Sequence, residues 1–261
     1  MSRIAAVFEN LKRKNEKALV LFVTAGDPGV EQLPAILYAL AEGGADVIEV
    51  GIPFSDPIAD GPTIQASSQR ALDRGVTLSQ ILDALCKFDK TPLVAMGYYN
   101  TLLRHGLSNS ATMLKKAGID ATIVSDLVPE EACDWIDASK AEGLENVFLV
   151  APTSTDDRIR AACERASGFV YAVSRTGVTG SGSEVPPEVS ELVARTRGHT
   201  KLPVCVGFGI SKPEHVRMVC SVADGAVIGS WLVDWLAREW KDGEGRAALV
   251  RQLQLLKAAT R

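Results

Sequence analysis

Apolar runs alternate with helix-period segments along most of this chain. Short β-rich runs occur at 18–26 (ALVLFVTAG), 45–51 (ADVIEVG), 92–99 (PLVAMGYY), 120–126 (DATIVSD), 146–152 (NVFLVAP), 168–174 (GFVYAVS), 202–209 (LPVCVGFG) and 224–230 (DGAVIGS). Near-continuous apolar strands predict burial on both faces, as in a parallel sheet covered by helices. Between them lie segments with helical spacing, among them EQLPAILYALAEGG, ATMLKKAG, EEACDWIDASKAEG and PEHVRMVCSVADG. Several end in glycine just before the next strand, as in AEGGADVIEV, KKAGIDATIV and AEGLENVFLV. Glycine there supplies the left-handed residue that closes a helix.

Eight runs favour an α/β fold of the closed (β/α)8 type, a TIM barrel, over an open doubly wound sheet. No GxGxxG follows the first run, which argues against a dinucleotide site. The 261 residues, 1–261, fit one barrel domain, with extra helices over residues 2–15 and about 231–259. No linker or low-complexity segment divides the chain.

Composition changes this picture little but excludes some functions. Apolar residues make up 46% and charged residues 23%, as expected of a globular protein. The net charge is −4 with no long basic run, which argues against nucleic acid as a partner. No apolar stretch is long enough to span a membrane, and the charged, amphipathic N-terminus is unlike a secretory signal. Five scattered cysteines without a CxxC pair predict free thiols and a cytoplasmic location. His105, His199 and His215 lack metal-ligand spacing, so no metal is expected.

In a barrel of this type the chemistry lies at the C-terminal strand ends. Strand alternation puts Val47, Glu49 and Gly51 on one face and Ile48 and Val50 on the other. Glu49 thus points into the barrel near its mouth, where desolvation raises a carboxyl pKa and suits acid–base work. An internal salt bridge is the alternative. Asp60 precedes Pro62 in ADGPTIQASSQRAL and reads alone as a helix N-cap. Asp56 in FSDP reads as a turn residue.

Glycine-rich segments follow the last three runs: GVTGSGS (177–183), GFGIS (207–211) and GS (229–230). Backbone N–H groups at such turns and at a helix N-terminus bind phosphate. Arg175 in SRTG is read as a loop residue. Phe22, Tyr98, Tyr171 and Phe208 are core candidates singly, and together they suit a flat aromatic substrate.

The segments LFVTAGDP, DVIEVGIPFSDPIADGPTIQASSQRAL, SRTGVTG, GFGIS and GAVIGS, in this order, resemble the alpha subunit family of tryptophan synthase over nearly the whole chain. The resemblance implies a (β/α)8 barrel and a lyase that cleaves indole-3-glycerol phosphate to indole and glyceraldehyde 3-phosphate. It implies that Glu49 is the acid/base and Asp60 the second catalytic carboxylate. Phosphate would be held at Gly180, Gly209, Gly229 and Ser230 beside Phe208, and indole among Phe22, Ile64, Tyr98, Ile123 and Tyr171. Pro53, Asp56 and Asn100 match positions facing a beta subunit in an α2β2 tetramer that channels indole. The alpha subunit carries no cofactor; pyridoxal phosphate belongs to the beta subunit. The loop of Arg175 and Thr179 is a candidate lid. Other phosphate-binding barrels, an idle barrel that activates a partner, and a stand-alone lyase are the rival readings.

Overall fold

The computed structural model describes residues 1–173, 185–207 and 209–261. Among them the order is α1 (Arg3–Arg13), β1 (Ala18–Thr24), α2 (Leu33–Glu42), β2 (Val47–Gly51), α3 (Pro62–Asp73), α4 (Leu78–Leu85) and β3 (Leu93–Gly97). There follow α5 (Tyr99–Leu103), α6 (Leu107–Lys116), β4 (Ile119–Val124), α7 (Cys133–Ala141), β5 (Glu145–Asn146), β6 (Phe148–Val150), α8 (Asp156–Arg165) and β7 (Val170–Val173). The chain ends with α9 (Pro187–Arg197), β8 (Val204–Gly207), α10 (Pro213–Cys220), β9 (Gly225–Ile228), α11 (Ser230–Glu239) and α12 (Arg246–Ala258).

All eight pairings between strands are parallel, in the order β5-β4-β3-β2-β1-β9-β8-β7-β6. The two ends of that order, β5 and β6, are separated in the chain only by Val147, so the sheet closes on itself as a (β/α)8 barrel. The run expected at 146–152 is thus two short strands. Glu145 and Asn146, at its very start, pair with β4, Phe148–Val150 pair with β7, and the turn of the barrel wall falls between them. The glycines expected to close helices do so: Gly44, Gly118 and Gly143 have φ of 98°, 88° and 70°. The helical tail is two helices, because Asp242, Gly243 and Gly245 all take positive φ between them.

Strand alternation sorts the core into two clusters. Val20, Val47, Val94, Ala121, Cys205 and Val227 fill the barrel interior. Their neighbours Leu21, Ile48, Ala95, Val206 and Ile228 pack under the helices with residues such as Ile36 and Leu40 of α2. Ile4, Phe8 and Leu11 of α1 join the interior cluster. Arg3 ties α1 to the strand starts, through Asp120 Oδ2 at 3.0 Å and the Asp89 carbonyl at 2.8 Å. The first helix therefore plugs the N-terminal end of the barrel and leaves the C-terminal end as its mouth.

Three aspartates fasten the plugged end. Asp46, Asp120 and Asp224 accept the backbone N–H of Leu19, Leu93 and Val204 at 2.7, 3.0 and 3.1 Å. Each carboxylate is also paired with a cation: Lys257, Arg3 and Arg197 respectively. Charge-assisted bonds of this kind fix the strand starts relative to one another.

At the mouth, α3 is bound to the loop after β1. Buried Asp27 accepts Arg70 Nε and Nη2 at 3.1 and 2.5 Å and Arg74 Nη1 at 3.1 Å. The hydroxyls of Thr24 and Ser67 meet at 2.6 Å. Because the helix begins two residues after Asp60, this anchorage sets where Asp60 stands. Replacing Asp27 with Asn removes the charge while keeping the shape. Urea unfolding is expected to show a loss of about 1–3 kcal/mol with an unchanged slope; an unmoved midpoint would show that the pairing adds nothing.

Candidate active site

Glu49 lies on β2 opposite Phe22 of β1 and Val94 of β3. It is 1% exposed, and among the described residues neither carboxylate oxygen has a hydrogen-bond partner. The internal salt bridge that the sequence left open is not found among those residues. A charged carboxylate in such a place is strongly disfavoured. Burial accordingly pushes the Glu49 pKa up from 4.5 to about 8. At neutral pH it is a carboxylic acid with a proton to give.

Asp60 is not a helix cap. The N-cap of α3 is Gly61, which makes no side-chain capping bond, and Pro62 occupies the first turn. The Asp60 carboxylate instead accepts the hydroxyl proton of Tyr98 at 3.0 Å. Burial raises its pKa and the Tyr98 bond opposes that shift. The capping reading fails because the backbone turns at Gly61, one residue later than the carboxylate would need.

Glycines at the strand ends make room for the aromatic walls. A side chain on Gly51 would place its Cβ 2.4 Å from Phe22 Cζ, and one on Gly207 would place it 2.5 Å from the Tyr171 hydroxyl. Phe22 Cδ1 and Ile64 Cδ1 both lie 3.8 Å from where a Gly229 Cβ would stand. Phe22 and Ile64 thus meet the proposed phosphate end, while Ile123 is fully buried in the interior cluster. Burial, then the charges of Glu49, Cys205 and Asp60, hold the Tyr171 phenol well above its ordinary pKa. Beside Tyr98, Gly97 borders a small apolar pocket that Ile52, Leu102 and Ile123 also line.

At the other end, Gly209 takes a left-handed φ of 48°. Gly229 is the N-cap of α11 with no side-chain capping bond, and Ser230 is the first residue of that helix. The first N–H groups of α11 are therefore available to an anion. Gly180, Phe208, Arg175 and Thr179 lie outside the described residues. Of the positions matched to a partner surface, Asp56 and Asn100 are exposed and Pro53 is half-buried.

Phe54 was not singled out from the sequence. Its ring stacks on Tyr98, with centroids 4.9 Å apart and planes at 15°. Nothing local in IPFSDP marks it, because its partner Tyr98 lies some forty residues away. The Asp27–Arg70 pair was missed for the same reason. Among the described residues no group of three His, Cys, Asp or Glu could hold a metal, and no helix is long and apolar enough to cross a membrane. All five cysteines are free.

The Glu49 shift carries a sign for stability. Its folded pKa lies above the unfolded value, so the folded state holds more protons between about pH 5 and about pH 8. Its contribution is fully present at the acid end of that window and is lost as pH rises through it. In Glu49→Gln the decline of stability across this window should flatten, measured by urea unfolding at several pH values. An identical slope in both proteins would mean that Glu49 titrates normally.

The family model for the tryptophan synthase alpha chain matches residues 8–261. The tryptophan synthase alpha chain of Geobacter sulfurreducens is 49% identical over 241 residues, 91% of each chain. That of Geotalea uraniireducens is 46% identical over 264 residues, 100% of this chain and 98% of its own. Among solved structures, tryptophan synthase subunit alpha from Legionella pneumophila superposes with a TM-score of 0.90 at 33% identity, covering 100% of this chain and 98% of that one. A tryptophan synthase chain from M. tuberculosis gives 0.90 at 36% identity, covering 100% and 99%. By sequence and by fold alike, this chain belongs to the tryptophan synthase alpha chain family.

Proposed function

We propose that this chain cleaves indole-3-glycerol phosphate to indole and glyceraldehyde 3-phosphate, with Glu49 as acid then base and Asp60 as the partner of the indole nitrogen. Membership of the family supports the lyase reaction and a role in tryptophan biosynthesis. The observation that carries the residue assignment is Glu49 itself: an acid buried at the mouth with no hydrogen-bond partner among the described residues.

The bond between indole C3 and the glycerol chain breaks only after C3 has gained a proton. Glu49, protonated below about pH 8, delivers it. Positive charge then develops around N1, and the Asp60 carboxylate accepts the N–H hydrogen bond and stabilises that charge. Glu49, now ionised, takes the proton of the adjacent side-chain hydroxyl. As that O–H bond breaks, the carbonyl of glyceraldehyde 3-phosphate forms, the C–C bond breaks, and its electron pair restores the aromatic ring. Glu49 ends protonated, as it began. Two carboxyls in different settings thus take different parts. The phosphate would rest on backbone groups at Gly180, Gly209, Gly229 and Ser230, next to Phe208. The indole ring would lie among Phe22, Ile64, Tyr98, Ile123 and Tyr171, and the Arg175–Thr179 loop would close over both.

The reading extends to assembly. Ile58, Leu103 and Val128 are exposed on the segments that follow the adjacent strands β2, β3 and β4, and Pro53, Asp56 and Asn100 lie on the segments that follow β2 and β3. This mixed apolar and polar rim supports docking of a beta subunit in an α2β2 tetramer, with indole passed across and pyridoxal phosphate on the beta side only. The chemistry assigned here needs no cofactor on this chain, and a cytoplasmic location fits a biosynthetic enzyme.

Glu49→Gln is expected to lower indole formation at least about a thousandfold with the thermal unfolding transition retained; near-normal turnover would sink the assignment. In the wild type, kcat should fall as pH rises through about 8, where Glu49 loses its proton. A flat profile to pH 9 would remove it as the donor. Asp60→Asn should lose most of kcat and still bind inorganic phosphate as the wild type does, and an unchanged kcat would leave Asp60 with no catalytic part.

A further inference from the structure

Tyr98 does more than line a pocket. Its hydroxyl oxygen takes part in two bonds, one with the Ala59 backbone and one with Asp60, each 3.0 Å long. Backbone N–H of Ala59 can only donate, so the phenol accepts there. Its single proton is therefore free to go to Asp60 Oδ2, the only direction in which the second bond works with an ionised aspartate. The ring is 3% exposed and is gripped on one face by Phe54. Phe54 and Ala59 stand near opposite ends of the loop after β2, and both close on this one side chain from the end of β3. The base of Tyr98 is held too, because the next residue's N–H donates to Asp126 Oδ1 at 2.7 Å. Gln65 Nε2 pins the loop backbone further, donating to the carbonyls of Asp60 at 2.9 Å and Pro57 at 3.3 Å.

We propose that Tyr98 is a positioning residue for Asp60: it commits Oδ2 and leaves Oδ1 as the oxygen that receives the indole N–H. The inference rests on the assignment of Asp60 under the proposed function. A carboxylate with two equivalent free oxygens can rotate about its Cβ–Cγ bond, and one tethered by a phenol cannot do so without breaking that bond. The same bond counters the rise that burial imposes on the Asp60 pKa. The loop is thus built around a ring from the neighbouring strand, and its catalytic end is aimed by that ring's hydroxyl. Phe54 is the residue that keeps the ring in place.

Tyr98→Phe keeps the ring and removes only the hydroxyl. In steady-state indole formation from indole-3-glycerol phosphate, kcat is expected to fall about ten- to a hundredfold with KM within about twofold. The acid limb of the kcat–pH profile should move to higher pH, since Asp60 loses the bond that favours its charged form. In the Asp60→Asn background the same substitution should add nothing further. Phe54→Leu, which loosens the ring but keeps the hydroxyl, should lower kcat in the same direction by less. A rise in KM with kcat unchanged would show Tyr98 to be a pocket wall and overturn the inference. So would a lowered kcat with an unmoved acid limb, or full additivity with Asp60→Asn. If the wild type forms no indole, or Asp60→Asn is as active as wild type, the underlying function reading fails instead; if both of those controls behave and Tyr98→Phe matches wild type, this inference alone fails.

Discussion

A carboxyl group left without a hydrogen-bond partner among the described residues, inside a wall of apolar side chains, is the constraint on which the rest of this structure turns. Glu49 faces the same interior that holds Val20, Val47 and Val94, and water scarcely reaches it. An isolated charge there is too unfavourable to persist at neutral pH, so the group stays protonated until about pH 8. That shift needs no dedicated neighbour. It needs only a barrel rigid enough to keep water and cations away. A looser mouth would hydrate Glu49 and return it to an ordinary, fully ionised glutamate.

The scaffold divides its labour accordingly. At the plugged end, α1 and the aspartates at 46, 120 and 224 lock the strand starts with charged hydrogen bonds. At the mouth, polar contacts serve placement: Asp27 with its two arginines fixes α3, and Tyr98 with Phe54 gathers the loop between β2 and α3. Glycines at Gly51 and Gly207 provide the sockets for Phe22 and Tyr171. The result is two carboxyls in contrasting settings. Glu49 has no hydrogen-bond partner among the described residues, while Asp60 is held by a phenol.

Much of this was legible in the sequence, because strand period and helix period are local signals. The inward aim of Glu49 followed from alternation alone, and the glycines at 44, 118 and 143 announced their helix ends. What was not legible depends on contacts between distant segments. Asp60 beside Pro62 resembles a cap, and only the position of Tyr98 shows where its carboxylate goes. Nothing local marks Phe54, whose stacking partner Tyr98 follows β3. The fifth run looked like one strand, because nothing local marks where it leaves one neighbour for the other. The glycine spacing after the last strands is legible too: Gly209 takes a left-handed φ, and Gly229 caps α11 without a side-chain bond.

Burial alone makes Glu49 an acid at neutral pH. The most direct test is to follow its own titration by carbon NMR in protein labelled at the glutamate side-chain carboxyl carbon, with Glu49→Gln identifying the resonance. A midpoint near 8 is expected in the unliganded protein. A midpoint near the ordinary glutamate value of 4.5 would contradict it.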